Sequence, residues 1–419
     1  MHLTFATAGE SHGRGLVAIV EGLPAGLPVS AAWVDRELGR RMQGYGRGAR
    51  MKIEQDRIEW IAGVRAGETL GSPVAMLIPN RDWANWEDVM APEGAGAEGP
   101  PADQPDGEST SRHRRRRVAR PRPGHADLVG VLKYDRLDAR DILERASARE
   151  TAARVAAGAL ARRLLDEFGV EVGSHVVSLG GIAAARIDPL PAPLNEAADR
   201  SPVRCLDAMA ERAMIERVDA AKAAGDTLGG IVEVVARHLV PGLGSHVSWD
   251  RKLDARLAGL LMSIPAVKGV EIGLGFDAAR RPGSAVHDPI DPGENAGDVR
   301  TAFRRRSNNA GGLEGGMTTG EALVIRVAMK PISTLMTPLP TVDLRTGSPA
   351  SAQSERSDVT AVPAMGVIAE ALTALVLADA MLEKFGGDSV GEMRRNVEGY
   401  LAAAGARWRA ERAHPAGAE

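Results

Sequence analysis

The chain has 419 residues, 44% hydrophobic and 26% charged, with a formal net charge of -3. This is ordinary globular composition, long enough for one large core or two to three smaller ones, and it excludes a disordered chain and argues against a general polyanion binder. Cys205 is the single cysteine, so an intrachain disulfide and a cysteine-rich metal site are excluded and buried packing is its expected role.

Glu10, His12 and Arg14 fall where a signal peptide is apolar, and no apolar run was expected to reach the ~18 residues of a membrane span. A cytoplasmic protein with no membrane partner is the expectation. Aromatic residues make up only 3% of the chain while there are 48 glycines. Such a core lets elements approach closely, and aromatic stacking on nucleic acid is not expected.

In chain order, Leu3–Thr7 and Leu16–Val20 read as strands, and Val34–Met42 as a helix capped by Ser30. Met51–Glu54 and Arg57–Ile61 alternate like a hairpin turning at Gln55-Asp56, and Val74–Ile78 resembles a buried strand. Between Pro92 and about Arg120 the composition turns to Gly, Pro, Asp and Ser, then to the arginine run Arg112–Arg117, as expected of a mobile surface loop.

Asp138–Phe168 reads as one long Ala-rich helix closed by Gly169. Strands are expected at Val170–Leu179, Ile231–Ala236, Val270–Leu274 and Ala322–Ala328, with helices at Trp249–Met262 and Met365–Phe385. Residues 1–399 form a single expected domain, and 400–419 a loosely held tail. There is no regular βα alternation, which favours α+β with antiparallel sheets against helices.

Gly9-Glu10-Ser11-His12-Gly13 matches the G-x-S-x-G pattern of a nucleophile elbow. An elbow needs a completed sheet beneath it, whereas Ser11 follows the first strand and His12 is its direct neighbour, so a hydrolase is poorly supported. The chain has no H-E-x-x-H and no Gly-Lys dipeptide. What remains are polar residues in glycine-rich settings: Ser11 and His12; Arg40, Arg41, Arg47 and Arg50; Arg120, Arg122 and His125; Arg145, Ser147 and Arg149; and Lys330, Ser333, Arg356 and Asp358. Taken singly, each has an ordinary explanation; helix arginines, for example, pair with carboxylates such as Glu144 or Glu150.

Together, AGESHG, GYGRGARM, RPRPGHAD, LERASARETAARVAAGA, IPAVKGVEIG, NNAGGLEGGMTTGE, MKPIST, RSDVTAVPA and EKFGGDS run in order from Thr7 to Ser389. In this they closely resemble the chorismate synthase family. The Pro92–Arg120 stretch is longer and richer in arginine than that family leads one to expect, which bears on the local loop and any cover it forms.

The resemblance implies a β-α-β sandwich assembled as a homotetramer, and an anti 1,4-elimination of phosphate and the C6 proton from 5-enolpyruvylshikimate 3-phosphate to give chorismate. It implies reduced FMN as cofactor, with NADPH only an indirect source of electrons through an external flavin reductase. By the same resemblance His12 stands beside the substrate phosphate, His125 near flavin N1 and Asp358 near N5, with Ser11 and Ser147 in the proton network. Arg41 and Arg47 match arginines near cofactor and substrate phosphate. Arg145, Ala146, Ser147, Pro265, Ala266, Gly315, Lys330, Pro331, Ile332, Ser333, Thr334 and Arg356 match flavin contacts.

The chemistry agrees with the residue types. Substrate and cofactor bring several anionic groups, and guanidinium forks from separate segments suit carboxylate and phosphate. Two other classes stay open from sequence: a polyanion binder using Arg112–Arg117, and a flavin-dependent oxidoreductase.

Overall fold

The computed structural model describes residues 2–48, 55–93, 117–295, 297–353 and 358–413. The expected strand Met51–Glu54, Arg50, Arg356 and Arg112–Arg116 with most of the surrounding loop lie outside these residues.

Alternating apolar residues build the first sheet from β1 (Thr4–Gly9), β2 (Gly15–Glu21), β3 (Glu59–Ala62) and β4 (Val74–Pro79), in the order β1-β2-β4-β3. Every pair is antiparallel, with Gly9 opposite Leu16 and Leu16 opposite Ile78. Leu16, Ala18 and Val20 on β2 and Val74, Met76 and Ile78 on β4 are fully buried on one face, the period-two pattern of a half-buried sheet. Each large apolar side chain so placed contributes about 1.5–3 kcal/mol.

The second sheet holds β5 (Glu171–Leu179), β6 (Ile182–Ala183), β7 (Gly230–Arg237), β8 (Val267–Ile272) and β9 (Leu323–Met329), in the order β8-β9-β7-β5-β6. It too is antiparallel throughout.

The helices are α1 (Ala31–Met42), α2 (Asp127–Tyr134), α3 (Thr151–Asp166), α4 (Ala208–Ala223), α5 (Leu253–Met262), α6 (Val362–Phe385) and α7 (Val390–Ala413). Ser30 caps α1 by accepting a hydrogen bond from the Trp33 amide at 3.2 Å, worth about 1 kcal/mol. Helix α3 packs on the first sheet, α6 on the second, and the two pack against each other, giving the α+β sandwich.

Their contact is close because Gly158 of α3 faces the backbone of Ala371 on α6. Helix α6 is 24 residues long and apolar enough to span a membrane, a length the sequence reading did not credit, but 94% of its most apolar window is buried inside the protein. It is the core helix.

Between these layers lies a charged cluster. The Glu370 carboxylate accepts hydrogen bonds from Arg40, Arg162, Arg204, Ser174 and Asn195 at 2.6–3.1 Å. Burial alone pushes Glu370 up, but the three guanidinium charges outweigh it and hold the carboxyl far below the ordinary range.

The structure differs from the sequence-based expectations in these places. Asp138–Phe168 is not one helix: a single turn at Arg140–Leu143 is followed by a break, a 3-10 turn at Ala148–Glu150, and only then α3. Ser147 is extended and its hydroxyl accepts from the Arg149 amide at 3.3 Å, offering the backbone an alternative to the helical ladder. Trp249–Met262 likewise splits at extended Lys252 into a short 3-10 turn and α5. Asp56, expected at a hairpin turn, is buried against Arg149 at 3.1 Å and Arg41 at 3.7 Å. Beyond Tyr400, α7 continues to Ala413 and sets Trp408 edge-on against Phe303.

Candidate active site

The Gly9–Gly13 segment connects two antiparallel strands, not a strand to a helix, so it lacks the geometry of a nucleophile elbow. Gly9 sits at φ 104°, where a Cβ would meet the Gly15 carbonyl at 2.3 Å; only glycine allows this turn. Asn80, just after β4, holds it from below by donating its side-chain amide to Gly13 O at 2.9 Å.

The break ahead of α3 supplies the partner of His12. Its ring Nδ1 lies 2.9 and 3.0 Å from the Glu144 carboxylate oxygens, and its backbone N–H donates to the same carboxylate at 2.9 Å. The Ser11 amide donates to Glu144 O at 3.0 Å. Glu144 is buried, which pushes its carboxyl up, yet the hydrogen bonds and charge of His12, with Arg140, outweigh that and hold it below the ordinary range. The His12 ring stacks on Trp86 at 3.8 Å with 26° between planes.

A second histidine is held in the same manner. His125 Nδ1 is 2.5 Å from Asp127 at the start of α2. Arg122 donates Nε to the other Asp127 oxygen at 2.8 Å and Nη1 to Thr334 at 3.2 Å. Lys330 donates to Gly124 O at 2.7 Å, so the loop bearing His125 and the loop leaving β9 close on each other. The Lys330 ammonium is held below the ordinary lysine range by burial and by the charge of Lys268.

Asp358 lies ahead of α6, its carboxylate accepting from the Gly48 amide at 2.6 Å and pairing with Arg47 at 3.0 Å. The Val359 amide donates to Gly46 O at 2.7 Å, the Leu228 amide to Val359 O at 2.8 Å, and the Thr227 hydroxyl to Ile332 O at 2.7 Å. These bonds tie the loop after α1, the approach to α6 and the Lys330–Thr334 strand exit into one region.

Arg41 is buried, donating to Thr151 at 3.0 Å and Ala148 O at 2.9 Å. Arg145 donates to Thr7 O at 2.9 Å and Gly9 O at 3.2 Å, fixing the break against β1, with Ala146 and Ser147 beside it. Ala266, at φ 68°, accepts from the Lys330 amide at 2.9 Å, which brings Pro265 and Ala266 alongside Lys330 with Pro331 and Ser333. Gly315 turns a separate hairpin beside His246. Among the described residues, no hydrogen bond joins that turn to either histidine.

Glu144, Trp86, Asn80 and Asp127 were not singled out from sequence as site residues. Asp127 had a signal in His-x-Asp spacing; Glu144 had none, because it stands 132 residues from His12. Chemically, each imidazole turns Nδ1 toward a buried carboxylate, an arrangement that suits proton exchange through Nε2. Among the described residues there is no group of His, Cys, Asp and Glu that could hold a metal.

An antiparallel α+β sandwich carrying two histidine–carboxylate pairs beside several arginines is an arrangement suited to acid–base chemistry on anionic small molecules. The family model described as chorismate synthase matches residues 3–382. The chain is 56% identical to the chorismate synthase of Geobacter sulfurreducens over 403 residues, covering 95% of this chain and 98% of that one. It is also 57% identical to that of Salinispora tropica over 401 residues, with coverage of 95% and 98%. A solved structure titled Crystal Structure of Chorismate Synthase superposes with a TM-score of 0.74 at 40% identity, covering 97% of this chain and 99% of the other. The chain belongs to the chorismate synthase family and is a lyase of the shikimate pathway.

Proposed function

We propose that this enzyme converts 5-enolpyruvylshikimate 3-phosphate to chorismate by anti 1,4-elimination and requires reduced FMN. The observation that carries the reading is His12, fixed through Nδ1 by buried Glu144 in a loop crossed by Arg145. A proton delivered from Nε2 to the bridging oxygen lets the C3–O bond break with its electron pair on phosphate. Ser11 and Ser147 belong to the surrounding proton network, and Asp358 passes on the proton lost from C6.

A flavin phosphate fits the basic character of the second region. Among the described residues Lys330 has no carboxylate within ion-pair distance and has Lys268 as its charged neighbour, a like-charge pair that an anion relieves. His125, Lys330–Thr334, Arg47, Arg145, Ala146, Pro265, Ala266 and Gly315 would hold the cofactor, with Arg356 and Arg41 completing the set. Bound there, reduced FMN supplies electron density to a reaction with no net redox change. NADPH serves only as an electron source through a separate reductase, and the working form is a cytoplasmic homotetramer.

The test is anaerobic. Enzyme, photoreduced FMN and the phosphate ester are predicted to yield chorismate and phosphate in equal amounts, and oxidised FMN to yield neither. Absence of chorismate with reduced FMN refutes the reading.

A further inference from the structure

We infer that Glu144 and Trp86 act together as positioning residues for His12, fixing both side-chain torsions and directing Nε2 toward the bound phosphate. The inference rests on His12 being the acid of the proposed reaction. Two separate parts of the chain build the clamp.

The Glu144 side chain is 2% exposed and receives both the backbone N–H and the ring Nδ1 of residue 12. A carboxylate bridging these two groups sets the direction of the ring relative to the backbone. Trp86 sets its plane, stacking at 3.8 Å. The indole is fixed in turn: its Nε1 donates to Asp82 at 2.9 Å, and the Asp82 amide donates to Asn80 at 3.1 Å. Asn80 then holds Gly13, so the support closes on the His12 loop itself.

Among the described residues, the charged groups facing the pair are Arg140, 3.4 Å from Glu144 and 5.4 Å over the Trp86 ring, and Asp82 below Trp86. Arg140 keeps the carboxylate company without displacing His12. Glu144 keeps its negative charge throughout and is not itself the acid. As the C3–O bond breaks, its electron pair goes to phosphate and the Nε2 proton follows; His12 is left neutral with Nδ1–H still donated to Glu144. A neutral imidazole in the other tautomer could not make that bond, so Glu144 selects the product tautomer.

The experiment compares wild type with Glu144→Gln, Trp86→Phe, His12→Ala and His12→Ala/Glu144→Gln. For Glu144→Gln we expect kcat to fall roughly 10- to 100-fold with little change in KM. Glu144→Asp recovers part of the loss. In the His12→Ala background the second substitution costs almost nothing, because its target is gone.

A readout independent of turnover is indole fluorescence, which a stacked protonated imidazole quenches. A pH-dependent step present in wild type is expected to vanish in Trp86→Phe and His12→Ala and to lose amplitude in Glu144→Gln, where the ring is no longer held against the indole. Wild-type kcat in Glu144→Gln, or an undiminished loss in the His12→Ala background, overturns the inference. Full turnover in His12→Ala instead removes the acid role beneath it, and the fluorescence step still judges the clamp.

Discussion

Asp127 reaches back to His125 across a 2.5 Å contact while also receiving Arg122, so a single buried carboxylate orders two candidate ligand-facing side chains. Burial pushes Asp127 up, but the hydrogen bonds and charges of His125 and Arg122 outweigh it and hold the carboxyl far below its ordinary range. Stability from a depressed carboxylate is fully present above the unfolded value of about 3.9 and is lost as pH falls toward the folded one. For Asp127→Asn, the stability gap from wild type in urea unfolding is therefore widest above about pH 4 and narrows below it. A gap that ignores pH removes the ionised carboxylate from the explanation.

Glu370 anchors α1, α3 and β5 through Arg40, Arg162, Arg204 and Ser174. Glu370→Ala leaves buried Arg204 and part-buried Arg40 and Arg162 short of their counter-charge, a loss of about 3–5 kcal/mol. Urea unfolding checks this; a change below about 1 kcal/mol would show that water or neighbouring Glu37 takes over.

Gly158 has no room for a side chain: a Cβ there would lie 2.5 Å from Ala371 Cβ and 2.6 Å from its carbonyl oxygen. Because backbone is in the way, no rotamer change relieves the clash. Gly158→Val is expected to cost about 1–3 kcal/mol or more by overpacking, seen as a lowered melting temperature. An unchanged melting temperature would contradict this packing.

The strands were readable because alternation survives in residues such as Leu16, Ala18 and Val20, whose burial follows the two-residue period. Helix α6 was legible by a different signal, a long run of apolar residues that ends at Phe385 as expected and starts at Val362 rather than Met365. The break at Glu144–Ser147 was not, since Ala-rich sequence on both sides favours continuing a helix and its cause is tertiary: Arg145 bound to β1 and Glu144 bound to His12. Motifs marked the histidines themselves. Their partners differ: Asp127 lies two residues from His125, whereas Trp86 and Glu144 meet His12 only after the sheet and the break assemble.

Lys330 tests the anion site. Lys330→Met is expected to weaken FMN binding about 10- to 100-fold, the size of a charge-assisted hydrogen bond, measured by quenching of flavin fluorescence. Because burial and Lys268 lower the pH at which Lys330 loses its proton, wild-type affinity should decline with rising pH before an ordinary lysine deprotonates. Affinity unaltered by the substitution would place the flavin phosphate elsewhere.

The most direct measurement is phosphate released per flavin reduced, under anaerobic conditions, by wild type and His12→Ala. Wild type should release many phosphates for each FMN reduced, and His12→Ala should do so about 10- to 10⁴-fold more slowly while remaining folded. Phosphate release at the wild-type rate without His12, or release matched one to one with reductant consumed, would contradict a redox-neutral elimination driven by this histidine.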